Sequence, residues 1–328
     1  MNNFAVLGAG AWGTALAFQL TRANPDSIIY LWGHNPQSQR KLQEQRCHAE
    51  LFPNNPFPQN LHPVITLDEA LHNVAGIIIA VPSHGFSELI QKLTPLCSLS
   101  LPILSATKGL DPISGNFLHE VVAKEQNFSI LSGPSFATEV VKELPTAITI
   151  ASTHHEYAQF WQTHLHSALF RVYTSEDMIG VQIGGTVKNI MAIATGVADG
   201  LGLGANARAA LVTRGLAEIM RFNQALGGKQ ATLMGLAGIG DLVLTCTDNQ
   251  SRNRRFGMAL GMGKSVSAAQ LEVQQVVEGY NAAKLVHNLA KLHQIEMPIC
   301  DIIYDVLYKE LSVQQAIQEL LSRAPKEE

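Results

Sequence analysis

Near its N-terminus the chain reads Phe-Ala-Val-Leu-Gly-Ala-Gly-Ala-Trp-Gly-Thr-Ala, an apolar run that breaks into glycines at Gly8, Gly10 and Gly13. Each position has a mechanical reason. Gly8 permits a tight turn out of a strand, and Gly10 lets the backbone approach a pyrophosphate without a Cβ in the way. Gly13 lets the following helix pack closely on the sheet. Residues 3 to 7 read as a buried strand and Thr14 to Thr21 as the helix whose positive end faces the phosphates. A glycine turn of purely structural purpose carries the same letters. The motif predicts a nucleotide site and specifies no chemistry.

A chain of 328 residues holds one large domain or two ordinary ones. Apolar content of 46% and charged content of 15% describe a folded globule rather than a disordered or coiled-coil chain. The net charge of −4 provides no electrostatic footprint for nucleic acid or an anionic membrane, although a few local cations suffice for a small anionic substrate. Cys47, Cys97, Cys246 and Cys300 are scattered without metal-type spacing and read as inert thiols of a reducing compartment. The N-terminus has no basic leader-like region. The most apolar long segment, Asn189 to Ala205, contains Asp199 and four glycines and is too short and broken to span a bilayer. A cytoplasmic location is expected.

The first half alternates strand-like and helix-like segments, as βαβ units require. Strands are predicted at Phe4–Gly8, Ser27–Trp32, Gly76–Val81, Pro102–Ala106, Phe128–Ser132, Ala147–Ala151 and Leu169–Tyr173. Runs such as Ile77-Ile78-Ile79-Ala80-Val81 suit strands covered on both faces. Helices are predicted at Glu69–Val74 and Ser87–Leu93, with a proline-rich loop over Cys47 to Pro63. From about Gly180 only helical periodicity remains, at Thr186–Val197, Ala205–Leu226, Asn253–Leu260, Ala268–Gln275, Asn281–His293 and Pro298–Lys309. The expected architecture is an α/β Rossmann-type domain with a mainly parallel sheet over residues 1–180. An all-α substrate-binding domain follows over 181–328.

Ligands of a parallel sheet bind beyond the carboxyl ends of its strands. Three such ends carry polar loops: Val81-Pro82-Ser83-His84, Ser105-Ala106-Thr107-Lys108-Gly109 and Ser132-Gly133-Pro134-Ser135-Phe136-Ala137. The second strand ends at Gly33-His34-Asn35, without the acid that a strictly NAD-selective fold places at the ribose 2′-hydroxyl. NADPH is therefore allowed. Lys108 can reach over the crevice or stand solvated on its loop. Lys188 opens the most apolar helix of the chain, where a lysine is paired, functional or snorkelling. With a reference pKa near 10.4, it needs desolvation or a nearby cation to shuttle protons near neutrality. Asp241, in Gly-Ile-Gly-Asp-Leu, can pair with a lysine or a substrate hydroxyl. Ser251-Arg252-Asn253 suits a phosphate, or else belongs to a solvated basic turn with Arg254 and Arg255. His154, His155, His164 and His166 lack accompanying ligands, and no metal is expected.

With GAGAWGTALA, LWGHNP, VPSHGF, SATKGL, SGPSFATE, GVQIGGTVKNIMAIATGVADGLGLGANARAAL, GLAGIGDLVLTCTDNQSRNRRFG and VVEGYNAAK, the chain resembles the bacterial NAD(P)-dependent glycerol-3-phosphate dehydrogenases nearly end to end. The resemblance implies reversible reduction of dihydroxyacetone phosphate to sn-glycerol 3-phosphate with NADH or NADPH, feeding phospholipid synthesis. It makes Lys188 the general acid/base and assigns substrate contacts to Lys108, Gly133, Ser135, Lys188, Asp241, Ser251, Arg252 and Asn253. Asn189 and Thr245 are further candidates. It assigns the cofactor to Gly10, Ala11, Trp12, Gly13, His34, Lys108, Ala137, Arg252, Val276 and Glu278. Two departures stand out: Ala11 where many members have Ser, and His34 where others have Arg.

Two other readings compete. One is a β-hydroxyacid or 6-phosphogluconate-type dehydrogenase of the same architecture; the other is a non-catalytic nucleotide-sensing module. Partners are expected to be a phosphorylated triose and no nucleic acid or membrane. A homodimer is compatible with the apolar helical half.

Overall fold

The computed structural model describes residues 2–323; Met1 and residues 324–328, the outer ends of the two expected segments, lie outside the described residues. All seven expected strands form. In chain order the first part comprises β1 (Asn3–Leu7), α1 (Ala11–Ala23), β2 (Ile29–Trp32), α2 (Pro36–Gln45), β3 (Leu61–Val64), α3 (Leu67–Leu71), β4 (Val74–Ile79) and α4 (Phe86–Leu93). It continues through β5 (Ile103–Ser105), α5 (Leu118–Val121), β6 (Phe128–Ser132), α6 (Ala137–Val141), β7 (Thr146–Ala151), α7 (His155–Leu165) and β8 (Phe170–Ser175).

These strands make one sheet in the order β3-β2-β1-β4-β5-β6-β7-β8, parallel except where β6 meets β7. The order reverses direction at β1, so a crevice opens between the carboxyl ends of β1 and β4. Side chains alternate between two apolar layers. Phe4, Val6 and Ile78 pack with Leu16 and Leu20 of α1, whereas Ala5, Leu7, Ile77 and Ile79 pack with Phe86 and Leu89 of α4.

Two local expectations are corrected. The loop predicted over Cys47 to Pro63 ends in β3, an edge strand in which Pro63 is tolerated because edge positions need not donate to a ladder. The helix predicted over Glu69–Val74 stops at Leu71, and Val74 starts β4. Thr66 sets that helix earlier through a capping box with Glu69.

Helices then follow alone: α8 (Met178–Gly200), α9 (Gly204–Ala225), α10 (Gln230–Leu233), α11 (Asp241–Thr247), α12 (Arg252–Gly261), α13 (Val266–Val273), α14 (Glu278–Leu292), α15 (Pro298–Tyr308) and α16 (Val313–Leu321). Helix α8 is buried along nearly its whole length, with the others around it. It begins at Met178, well before the expected Thr186, because Asp177 accepts from Gly180 N at 2.8 Å.

Helix α12 lies against α8 at backbone distance. A Cβ on Gly196 would sit 2.2 Å from Arg254 O, and one on Gly257 would sit 2.1 Å from Ile193 O. Gly200 and Gly261 make the same approach one turn further along each helix. Close-packed interiors do not absorb such an intrusion, so the two helices are fixed relative to each other. Among the described residues no helix is long and apolar enough to cross a membrane.

Candidate active site

The glycine turn connects β1 to α1 at the crevice. Gly8 has φ +122°, and a Cβ there would meet Ala80 O at 2.5 Å, so both backbone shape and space require glycine. A Cβ on Gly13 would meet Gly8 O at 1.8 Å. Gly10 differs, since a Cβ there would enter open space. That gap lies at the start of α1, where Gly10 provides no side-chain cap and the first turn carries no acid. Uncapped N–H groups and a positive helix end are the donor set a pyrophosphate needs, and the dinucleotide fits this cradle. Ala11 and Trp12 form the first turn, and the buried Trp12 Nε1 has no hydrogen-bond partner among the described residues.

His34 is exposed at the end of β2. Its neighbour Asn35 is engaged elsewhere, accepting from Gln37 N and Ser38 N as the N-cap of α2. Of the pair considered for a 2′-phosphate, only the His34 side chain remains free of that duty.

Across the crevice, Lys108, Lys188 and Asp241 come together. Lys108 stands after β5, Lys188 near the middle of α8, and Asp241 at the first residue of α11. Lys188 Nζ donates to Asp241 Oδ1, and Lys108 Nζ donates to Asp241 Oδ2 at 3.1 Å. Ser132 Oγ, from the end of β6, adds a longer contact to Asp241 Oδ2 at 3.4 Å. Thr245 Oγ1 donates to the Asp241 carbonyl at 2.6 Å, bracing the helix turn beneath it. A π-helical turn, Leu236–Gly240, precedes Asp241 and passes against α8, where a Cβ on Gly184 would lie 2.1 Å from Ala237 O.

Lys188 is only 5% exposed, which excludes snorkelling. Burial pushes its pKa down to about 7; the Lys108 charge adds to the fall and Asp241 opposes it. Burial alone would raise Asp241, but the two ammonium groups outweigh it and hold the carboxyl below its ordinary range. The cluster thus pairs an ionised acid with two amines, one of them poised to exchange a proton near neutrality.

Ser251 is the N-cap of α12, accepting from Arg254 N. The Asn253 amide is held at both ends: Nδ2 donates to Asn189 Oδ1 at 2.9 Å, and Oδ1 accepts from Gly279 N at 2.8 Å. What Asn253 can offer a ligand in this arrangement is the second Nδ2 hydrogen and its backbone N–H in the first turn. Its bond to Asn189, the residue after Lys188, couples the start of α12 to the middle of α8. Arg252 leans toward Val276, with Nη1 3.5 Å from Val276 O, and its charge counters the burial that raises the Glu278 carboxyl. Glu278 accepts from Ser83 Oγ at 3.1 Å, bridging the loop after β4 to α14. Gly133 and Ser135 form the turn between β6 and α6, where Ser135 Oγ donates to Gly133 O, and Ala137 opens α6.

Ser132, Ser83 and Gln250 were missed as site residues. Gln250 Nε2 donates to Glu139 at 3.0 Å and its Oε1 accepts from Thr138, so it ties the turn before α12 to α6. Ser132 and Ser83 stand in the strand-end loops already singled out, which was the available signal; nothing in the residue pattern pointed to Gln250. No group of three His, Cys, Asp or Glu side chains placed to hold a metal occurs among the described residues.

Comparison with known proteins agrees with this geometry. Residues 3–158 match the family model for the NAD-dependent glycerol-3-phosphate dehydrogenase N-terminus, and residues 177–318 match that for its C-terminus. A relative from Thioalkalivibrio sulfidiphilus, named glycerol-3-phosphate dehydrogenase (NAD(P)+), is 49% identical, covering 99% of this chain and 98% of the relative. A relative of the same name from Psychromonas ingrahamii is 48% identical, covering 98% of each. The crystal structure of glycerol-3-phosphate dehydrogenase from Coxiella burnetii superposes with a TM-score of 0.94 at 48% identity, over 98% of this chain and 99% of that one. These matches favour neither the hydroxyacid-type alternative nor a non-catalytic module. The chain belongs to the NAD-dependent glycerol-3-phosphate dehydrogenase family.

Proposed function

We propose that the protein interconverts dihydroxyacetone phosphate and sn-glycerol 3-phosphate, with NADH or NADPH as the reductant of the ketone. The observation that carries this reading is the buried Lys188–Asp241–Lys108 cluster at the mouth of a dinucleotide crevice. Gly10, Ala11, Trp12 and Gly13 would hold the pyrophosphate side of the cofactor, and His34, Lys108, Ala137, Arg252, Val276 and Glu278 would line the rest. Bound there, the reduced nicotinamide supplies the hydride.

The chain's own residues do the remaining work. Reduction builds negative charge on the substrate carbonyl oxygen, and the Lys188 ammonium neutralises it and delivers a proton. Preorganised charge of this kind is commonly the largest catalytic contribution. Asp241 keeps Lys188 oriented, and Lys108 adds a second positive charge, so with Lys188 protonated the cluster carries a net positive charge. Ser251, Arg252 and the α12 N-terminus would receive the phosphate, with Gly133 and Ser135 on the opposite wall. Binding energy from the phosphate then positions the ketone at a distance from the reacting carbon.

We divide the chain at residue 180, giving a dinucleotide-binding part (1–180) and a helical substrate-binding part (181–328). A homodimer through the apolar helical half belongs to this reading, and light scattering of the purified chain tests it. So does a cytoplasmic setting, supported by four unpaired cysteines. The activity is tested by following NADH and NADPH absorbance with dihydroxyacetone phosphate. Oxidation of either cofactor supports it, and none with either overturns it.

A further inference from the structure

The turn that precedes α12 is held from behind by a residue outside the catalytic cluster. Arg254 lies two positions after Arg252, which on a helix turns its side chain to the opposite face. It is 6% exposed, and its guanidinium is used on every side. Nε donates to Cys246 O at 3.2 Å, at the end of α11, and Nη1 donates to Asn249 Oδ1 in the middle of the turn and to Met258 Sδ at 3.2 Å. Nη2 donates to Asp199 Oδ2 at 2.5 Å. Asp199 belongs to the last turn of α8 and also accepts from Arg208 Nη1 of α9, at 2.8 and 3.0 Å.

One planar group therefore ties both the start and the middle of the 246–251 turn to α8, the helix that carries Lys188. Arg255 adds an outer strap, with Nη1 2.7 Å from Asn249 O and 3.2 Å from Gln250 O. Fold stability alone does not call for this arrangement, because a buried ion pair is commonly replaceable by apolar packing of similar volume. What an apolar residue cannot reproduce is the rigid fork that bonds the Cys246 carbonyl, the Asn249 amide and Asp199 at once.

We propose that Arg254, clamped by Asp199, is a positioning residue for substrate-phosphate recognition. It sets the turn so that Arg252 and the N-terminal N–H groups of α12 meet the phosphate at a fixed distance from Lys188. The proposal rests on the reading that Ser251, Arg252 and Asn253 receive that phosphate.

The test compares wild type with Arg254→Met, Arg254→Lys, Asp199→Asn, Arg252→Ala and the Arg252→Ala/Arg254→Met double variant. Each is assayed with dihydroxyacetone phosphate and with phosphate-free dihydroxyacetone. Arg254→Met is expected to lower the kcat/KM ratio of phosphorylated to phosphate-free substrate by about tenfold or more. Asp199→Asn shifts the ratio in the same direction by less and remains informative should Arg254→Met not fold. Arg254→Lys recovers part of the loss. In the Arg252→Ala background, Arg254→Met adds little, because the two act on one interaction. Losses equal for both substrates, or multiplying in the double variant, overturn the positioning role. An Arg252→Ala enzyme with an unchanged ratio instead overturns the phosphate assignment beneath it.

Discussion

Lys188 and Asp241 form a buried ion pair that joins the middle of α8 to the first residue of α11, with Lys108 closing the group from the end of β5. Removing one partner of a buried pair strands the other charge and costs about 3–5 kcal/mol. Here a second lysine is present, so the carboxylate has two charges to hold.

Asp241→Asn leaves the buried Lys188 and the half-buried Lys108 facing a neutral amide. The Lys188 pKa then falls further, since the opposing charge that raised it is gone. Steady-state assays with dihydroxyacetone phosphate are expected to show kcat reduced by about a hundredfold, with KM for NADH little changed. An unchanged kcat contradicts the orienting role.

The pH dependence follows from Lys188, whose pKa burial brings down to about 7. Ketone reduction needs its ammonium form, so that rate falls as pH rises through about 7. Alcohol oxidation needs the neutral amine, so that rate rises through the same range. Parallel pH profiles in the two directions measure this, and limbs of the same sign exclude Lys188 as the exchanging group.

Gly10 and Gly13 belong to one turn but serve different purposes. A Cβ at Gly10 enters open space, so Gly10→Ala leaves thermal stability unchanged and weakens NADH binding, read by fluorescence titration. At Gly13 the Cβ collides with Gly8 O, so Gly13→Ala destabilises the fold by about 1–3 kcal/mol or more. Equal stability loss in both variants contradicts the distinction.

Glu218 lies on α9 and accepts from Ile299 N at 2.7 Å and Cys300 N at 3.2 Å, capping α15. Burial raises its pKa to about 7 from 4.5. The folded state then holds a proton that the unfolded chain releases, so Glu218 makes stability fall as pH rises from 4.5 to about 7. The contribution is at most about 3 kcal/mol. Lys188, with its pKa depressed, makes stability rise only above about 7. Below that, Glu278, also raised by burial, adds to the fall, while His48, His62 and His119, lowered by burial, oppose it. The difference between Glu218→Gln and wild type therefore reads Glu218. Denaturant titrations of Glu218→Gln are expected to show a slope less negative than in wild type and a cost of about 1 kcal/mol at pH 5, since one acceptor becomes a donor. A slope equal to that of wild type assigns the effect to another group.

Much of this was legible in the residues. Continuous apolar runs such as Ile77-Ile78-Ile79 marked the sheet, and Gly8, Gly10 and Gly13 marked its crevice, because sterics at those places leave few alternatives. Strand β3 was not legible, since Pro58 and Pro63 give Leu61–Val64 the composition of a loop and only pairing with β2 makes it a strand. Lys188 could be named, but whether it snorkels depends on how deeply α8 is buried, a tertiary property. The engagement of Asn253 with Asn189 and Gly279, and of Arg254 with Asp199, joins residues up to 64 positions apart. No local pattern encodes such pairs.

The central claim is that Lys188 is the proton donor to the ketone oxygen. Lys188→Ala, assayed by NADH absorbance with dihydroxyacetone phosphate and by NADH fluorescence for binding, tests it most directly. The account predicts near-normal NADH affinity with turnover reduced by about a hundredfold or more. Near-normal turnover in that variant would contradict it.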